Sequence, residues 1–165
     1  MALNDPALEI FYQAQQSFRN HLNDPGLCNE ILSSNSIDEV YTLTAKLQEE
    51  AAGKAGLRNL ARIRPFLERL SSYSAVIEVL LQVKPELALI WGPIKLLLQM
   101  SSDLTSAFDR VADTMVKVGY ALPQFVMVLS VFEWSDAIRA AMALFYGDLL
   151  EFYRVNLDFF RKRRE

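Results

Sequence analysis

The reactive side chains of this sequence are few, and their spacing forms no recognised catalytic or metal-binding pattern. The 165-residue chain has one histidine, His21, and one cysteine, Cys28. A single cysteine cannot form an internal disulfide, and one Cys with one His cannot supply the four ligands of a structural zinc site. His21 ends an amphipathic segment, where interaction with a helix dipole is favoured over catalysis. Cys28 has no basic neighbour in sequence, which is typical of a core or boundary position.

Neighbouring acidic residues also fail to indicate a reaction. They form three pairs: Asp38 with Glu39, Glu49 with Glu50, and Asp109 with Asp113. The first pair fits a helix cap and the second a solvated helix end. The third pair shares one helix face, but the Glu-x-x-His motifs of di-metal bundles are absent, so we expect it at the surface. Phosphate-binding glycine loops and Gly-x-Ser-x-Gly elbows are absent as well. We predict no catalytic residue, no metal ligand and no cofactor.

The most distinctive charged feature is the basic run Arg161, Lys162, Arg163 and Arg164, which directly follows Phe159 and Phe160. Basic residues here can complement a helix dipole, contact nucleic acid, or contact an anionic lipid or protein partner. Aromatic residues beside basic ones resemble a membrane-surface pattern. The four basic residues are therefore the candidate lipid or partner contact.

Charge is otherwise nearly balanced, with 17 basic and 20 acidic residues and a net charge of −3. This balance argues against nucleic acid as the partner of the whole domain. Residues 1–52 carry eight acidic and two basic residues, whereas residues 53–95 carry three and seven. Five of these seven basic residues form one basic stretch: Lys54, Arg58, Arg62, Arg64 and Arg69. They either lie against acidic helices of the same fold, which we favour, or form a lipid or partner patch.

Apolar residues recur at steps of three and four along almost the whole chain, which predicts helices. Asp-Pro pairs at positions 5–6 and 24–25 match an N-cap followed by a first helical residue. Residues 36–39, Ser-Ile-Asp-Glu, match a capping box that starts a third helix. Residues 51–56 predict an exposed loop. Pro65 lies within the apolar series from 57 to 81 and predicts either a kink or a helix that begins near Arg64. A kink or a tight break is favoured, because the apolar residues keep the same helical spacing on both sides of Pro65.

The second half of the chain contains the longest apolar series. Pro85 is predicted to open a helix, and Ser102 or Asp103 to cap the next, whose stripe from Leu104 to Phe132 passes through Pro123. The last helix, capped by Ser135, has two stripes and should contact two neighbours at once. One stripe is Ile138, Met142, Phe145, Leu149, Phe152 and Phe159; the other is Tyr146, Leu150, Tyr153, Leu157 and Phe160.

These patterns predict an all-α fold, a single helical bundle of about six or seven helices, several of them kinked or broken at proline. We expect one domain over residues 1–165. The last helical pattern has no Gly or Asn cap, so the helix is expected to continue in a longer multidomain protein. No secretory signal is visible, which favours an intracellular protein. The apolar window 87–100 is short for a membrane span and predicts a buried core helix.

Residues 84–125 resemble an uncharacterised helical domain at the N-terminus of fungal STAND proteins. The most specific segment is WGPIKLLLQ at 91–99, and similar segments lie at 36–50, 57–82 and 143–163. In these relatives of NOD-like receptors, a NACHT-type NTPase and then ankyrin, TPR or WD40 repeats follow the domain. The resemblance implies an output module that acts when the receptor oligomerises.

Two functional hypotheses follow from the resemblance. The first is a non-enzymatic signalling domain, located in the cytoplasm, that binds protein partners or sister domains of the receptor. The second is a membrane-active effector of the HeLo type that causes cell death and associates with anionic membrane on activation. It requires an amphipathic N-terminal segment to leave the bundle, but residues 1–24 carry three acidic residues and one arginine, the opposite of what anionic lipid favours. The first hypothesis is therefore favoured, with neither nucleic acid nor a small-molecule substrate as partner.

Overall fold

Helices make up the regular structure of the computed structural model, which describes residues 5–34, 36–51, 60–81, 88–100, 105–122 and 135–164. Within these ranges there are seven α-helices, one short 3-10 helix and no strand, so the predicted all-α fold class is confirmed. The α-helices are α1 (Pro6–Leu22), α2 (Pro25–Leu32), α3 (Ile37–Ala51), α4 (Arg64–Leu81), α5 (Ala88–Met100), α6 (Thr105–Ala121) and α7 (Asp136–Arg164); the 3-10 helix spans Leu60–Ile63.

The first two helices begin at the Asp-Pro pairs, as predicted. The Asp5 carboxylate accepts a hydrogen bond from the Ala7 amide at 3.1 Å. Asp24 accepts one from the Leu27 amide at 3.0 Å. Both bonds satisfy donors that a helix start leaves without an intrahelical partner. Between the two helices, Asn23 has a left-handed backbone with φ of 45°, which lets the chain turn sharply from α1 into α2.

The capping box at the start of α3 forms only in part. Ser36 Oγ accepts a hydrogen bond from the Asp38 amide at 3.1 Å, as expected of the cap. The Glu39 carboxylate, expected to bond back to the cap, instead accepts from Ser34 Oγ at 2.5 Å and lies 3.8 Å from Lys95 Nζ. Glu39 is thereby used to attach α3 to the preceding turn and to α5.

Pro65 marks a tight break between two kinds of helix, not a kink within one α-helix. The 3-10 helix ends at Ile63 and α4 begins at Arg64, so Pro65 is the second residue of α4, where a missing N–H breaks no helical bond. The apolar series crosses the break in phase, with Leu60, Ile63, Leu67, Leu70 and Ile77 all buried. The predicted loop after residue 51, Pro85, the cap at 102 or 103, and Pro123 lie outside the described residues.

Helix α5 is a core helix, as the sequence predicted. Ile90, Ile94 and Leu97 are fully buried, and Gly92 and Pro93 are buried among them. Gly92 permits a close approach to α2, since a Cβ built there would lie 2.2 Å from the Ile31 carbonyl oxygen. Among the described helices, none is long and apolar enough to cross a membrane.

Helix α7 packs against α1, α4 and α5, which confirms its central place. Ser135 Oγ caps it by accepting from the Ile138 amide at 3.2 Å. One predicted stripe is entirely buried: Tyr146, Leu150, Tyr153, Leu157 and Phe160. The other stripe is buried less completely. The prediction that Phe159 belongs to the buried face was wrong, because that side chain is 41% exposed. The neighbouring helix α6 packs chiefly on α4 and the 3-10 helix, which leaves this end of α7 partly uncovered.

Candidate interaction surface

The basic run at the end of α7 does not act as one patch, because Arg161 is directed into the fold. Its guanidinium donates to the Leu22 carbonyl oxygen at 3.3 Å and pairs with Asp24 at 3.4 Å. It also lies 3.8 Å from Asp158 on its own helix. Arg161 therefore joins α7 to the end of α1 and the start of α2, and it is a structural contact in this arrangement.

Lys162 and Arg163 are on the outer side of α7 and are exposed. The Arg163 guanidinium lies over the Phe159 ring, 5.0 Å from its centroid, in cation–π geometry. The side chain of Arg164 lies outside the described part of the structure. Of the candidate contact residues, Arg163 thus lies beside an exposed aromatic ring, Lys162 is exposed, and Arg161 is turned inward.

A groove of about 400 Å³ runs between α6 and α7 at this exposed end. Its residues combine an apolar surface with two arginines: Ser106, Arg110, Val111, Val155, Asn156, Phe159 and Arg163. Val155 is 51% exposed and Phe159 41%, whereas Val111 is 6% exposed at the base of the groove. An exposed aromatic side chain next to an arginine is typical of protein interfaces.

The charges of the groove set it apart from the other basic positions. Within the part of the chain that the structure describes, none of the residues lining the groove is acidic. Among the described residues, no carboxylate lies within 4.0 Å of Arg110, Lys162 or Arg163, whereas Arg139 pairs with Asp5, and Arg154 with Glu151 and Asp158. The groove is therefore electropositive and retains arginine donors for an external anionic group.

Of the earlier basic stretch, Arg62 lies against an acidic helix of the same fold, as favoured from the sequence, whereas Arg64 and Arg69 make other contacts. Arg62 bridges Asp109 at 3.2 Å and Asp113 at 2.5 Å on α6. The Arg64 guanidinium lies 3.5 Å from Glu68 and stacks over the Tyr41 ring at 5.3 Å, and Arg69 donates to the Leu122 carbonyl oxygen at 2.5 Å. Lys54 and Arg58 lie outside the described residues. The described arginines of this stretch thus stabilise the packing of α4 and the 3-10 helix.

The other chemically reactive residues lie apart from the groove. His21 is exposed at the end of α1, with Nδ1 2.7 Å from the Ser17 carbonyl oxygen. Cys28 is half-buried against the core, as predicted. Asp109 and Asp113 are at the surface, also as predicted, with side chains 49% and 60% exposed. In the described ranges, no three His, Cys, Asp or Glu side chains are grouped so that they could hold a metal ion.

Sequence reasoning missed Arg110 and Val155 as members of the candidate site. A signal for one of them was present, since Val155, Phe159 and Arg163 are spaced by four and so share one line on a helix. No comparable signal existed for Arg110, because its place beside α7 depends on how two helices distant in sequence are arranged.

Comparison with known proteins returned one family. No curated protein and no solved structure matches the chain. The domain of unknown function DUF7708 matches residues 61–165, which extend from the 3-10 helix to the end of the chain. Both helices that form the groove lie within the matched range, whereas α1, α2 and α3 precede it. Because the matched range includes well over half of the residues of this chain, the chain belongs to the DUF7708 domain family.

Proposed function

We propose that this chain is a non-enzymatic signalling and protein-interaction domain. The observation that carries the proposal is the groove between α6 and α7, where exposed Val155 and Phe159 adjoin Arg110 and Arg163. Among the described residues these two arginines have no carboxylate partner, and arginines beside an exposed aromatic ring form a surface suited to binding another protein. Arg62 and Arg161, by contrast, bind other parts of the same fold.

The cellular setting we propose is the N-terminus of a fungal STAND receptor with a NACHT-type NTPase. Its support is the resemblance of residues 84–125 to such domains, above all the segment at 91–99. In the structure this segment belongs to the buried helix α5. The motif thus supports a shared core and specifies no chemistry. In this setting, receptor oligomerisation would bring several copies of the groove together and increase their avidity for a partner in the cytoplasm.

A membrane-active effector that causes cell death is the second proposal, and the placement of α1 argues against ranking it first. Phe11, Phe18 and Leu22 on α1 are buried, and α1 packs extensively along α7. Release of α1 would expose these side chains and break the ion pair between Asp5 and Arg139. The released helix would also present Asp5 and Glu9 to an anionic surface, which repels acidic residues.

The receptor itself provides the decisive experiment. The sequence following residue 165 in the gene should encode a Walker A motif, G-x-x-x-x-G-K-[ST], downstream of this domain. A receptor lacking residues 1–165 should still oligomerise on native gels but lose its downstream output. Fusion of residues 1–165 to an inducible oligomerisation module should restore that output. Output that persists without the domain would refute the signalling proposal. Leakage of phosphatidylserine vesicles caused by the oligomerised fusion would favour the membrane-active alternative.

A further inference from the structure

The groove between α6 and α7 has features that define the chemistry of its occupant. We propose that it binds an acidic amphipathic helix of a partner protein, which inserts an apolar side chain against Val111, Val155 and Phe159 and directs carboxylates to Arg110 and Arg163. This inference rests on the proposed interaction function and adds to it the class of partner and the residues that select it.

The charge of the occupant follows from the two arginines. Arg110 lies on the α6 side of the groove and Arg163 on the α7 side, so cationic groups flank the apolar surface. Neither has a carboxylate partner among the described residues, whereas Arg62 and Arg154 each contact two. A guanidinium binds a carboxylate through paired N–H donors, which gives direction as well as attraction. The occupant should therefore carry acidic groups on both sides of its apolar residue.

The shape of the occupant follows from the depth of the groove. Val111 is 6% exposed and lies at the base, while Val155 and Phe159 form the open wall. A projecting side chain can reach Val111, but the flat surface of a bilayer cannot. Grooves between helices commonly bind the apolar face of another helix, whose residues at steps of three and four place an apolar side chain between polar ones. These features favour an acidic helix over an anionic membrane.

The test uses the 165-residue chain and a labelled model peptide. The peptide is an alanine-rich helix of about 18 residues, long enough to be helical in water, with leucines along one face and glutamates flanking them. Fluorescence anisotropy should give a dissociation constant in the micromolar range that weakens with added salt. A control peptide with glutamine in place of each glutamate should bind the wild-type chain about tenfold more weakly. The glutamate peptide should likewise bind the Arg110→Gln/Arg163→Gln variant about tenfold more weakly than it binds the wild-type chain.

Matched substitutions separate the groove from the general surface. Lys46→Gln/Lys117→Gln removes two exposed cations outside the groove and should leave peptide affinity unchanged. Val155→Ser should weaken binding, whereas Leu144→Ser, at a similarly exposed site on the same helix, should not. The substituted residues are all exposed: Arg110, Arg163, Lys46, Lys117, Val155 and Leu144. Circular dichroism should therefore show that each variant keeps its fold.

Several outcomes would overturn the inference. Equal binding of the two peptides, or equal binding to the chain and to the double arginine variant, would show that the arginines do not select an acidic partner. If Arg110 and Arg163 were needed for binding phosphatidylserine vesicles but not the peptide, the occupant would be a membrane. If the double variant abolished self-association in sedimentation, the occupant would be a second copy. In each case receptor output could still depend on residues 1–165, so the broader proposed function would be judged separately.

Discussion

The Tyr153 hydroxyl on α7 donates a hydrogen bond to the Ile90 carbonyl oxygen on α5, with 2.8 Å between the two oxygens. A second buried phenol makes an equivalent link, since Tyr73 on α4 donates to the Met142 carbonyl oxygen of α7 at 2.6 Å. Both rings are fully buried. The central helix is therefore attached to two neighbours by directional bonds as well as by apolar packing, which fixes its position along its axis.

Removal of one of these hydroxyls should lower the free energy of unfolding. Tyr153→Phe keeps the ring in the core but deprives the Ile90 carbonyl of its phenol donor, so we expect a loss of about 1–2 kcal/mol in the free energy of unfolding. Tyr120→Phe is the matched control, because Tyr120 is 76% exposed and its hydroxyl is accessible to water. Denaturation in urea should distinguish the two variants. An unchanged Tyr153→Phe midpoint would contradict the role assigned to the bond.

The same two phenols predict how the fold responds to alkali. Burial raises the pKa of Tyr73 and of Tyr153 well above the usual value. The folded state therefore retains these protons more tightly than the unfolded state. This contribution to stability is fully present below the unfolded pKa of about 10 and is lost as pH rises through the raised folded pKa.

A spectrophotometric titration checks this expectation. The absorbance change of Tyr73 and Tyr153 should appear only together with unfolding at higher pH. Ionisation of Tyr73 and Tyr153 while the helices remain intact by circular dichroism would be inconsistent with their buried positions.

The fold could be predicted from sequence where local rules determine the outcome. Asp5 and Asp24 cap helices because each precedes a proline at a helix start, a signal contained within a few residues. Phe159 was misplaced because periodicity identifies a stripe but not the neighbour that must cover it. The roles of Arg161 and Arg110 depend on helices distant in sequence, so no local pattern could show that one points inward and the other lines a groove.

Gly92 should be among the least replaceable residues of the core. An alanine Cβ there would lie 2.2 Å from the Ile31 carbonyl oxygen and 2.9 Å from its carbonyl carbon, so α2 and α5 would have to separate. We expect Gly92→Ala to destabilise the fold by about 2–4 kcal/mol, outweighing the higher helix propensity of alanine. At Gly147 the nearest atom, Ala14 Cβ, is 3.6 Å from the same added group, an ordinary contact. Gly147→Ala should therefore be neutral or stabilising, and thermal unfolding of the two variants provides the comparison.

Asp5 should make stability depend on pH in the acid range. Burial alone would raise the pKa of its carboxyl, but hydrogen bonds from Arg139 and the Ala7 amide outweigh burial and hold the pKa below its usual value. The stabilising contribution is therefore present above the unfolded pKa of about 3.9 and is lost as pH falls through the depressed folded value. Asp5→Asn retains a good N-cap but loses the ion pair, at a cost of about 1 kcal/mol near neutral pH.

The difference in free energy of unfolding between the wild-type chain and Asp5→Asn should shrink as pH falls through the depressed folded pKa of Asp5, because the carboxyl then becomes protonated. Asp38→Asn, which removes an exposed carboxylate from the first turn of α3, is the control and should have a smaller effect near neutral pH. Urea unfolding at a series of pH values measures both. A difference that did not change with pH would show that the ion pair with Arg139 contributes nothing to stability.

Release of α1 provides a direct comparison of the two functional proposals. Phe11 is 1% exposed and stacks on Tyr146 of α7, with centroids 4.2 Å apart and planes at 24°. Phe11→Ala should cost about 3–5 kcal/mol and act mainly on the contact between α1 and α7. Hydrogen exchange should then show α1 opening before the remaining helices.

Phe66→Ala is the matched control, because Phe66 is equally buried but lies on α4 and packs next to Gly119 of α6. If the chain is an interaction domain, both variants should leave anionic vesicles intact, since release of a helix bearing Asp5 and Glu9 creates no affinity for an acidic surface. If it is a membrane-active effector, Phe11→Ala should cause leakage and Phe66→Ala should not. Because the two variants remove the same ring from equally buried sites, a difference in leakage between them would be attributable to α1 and not to loss of stability.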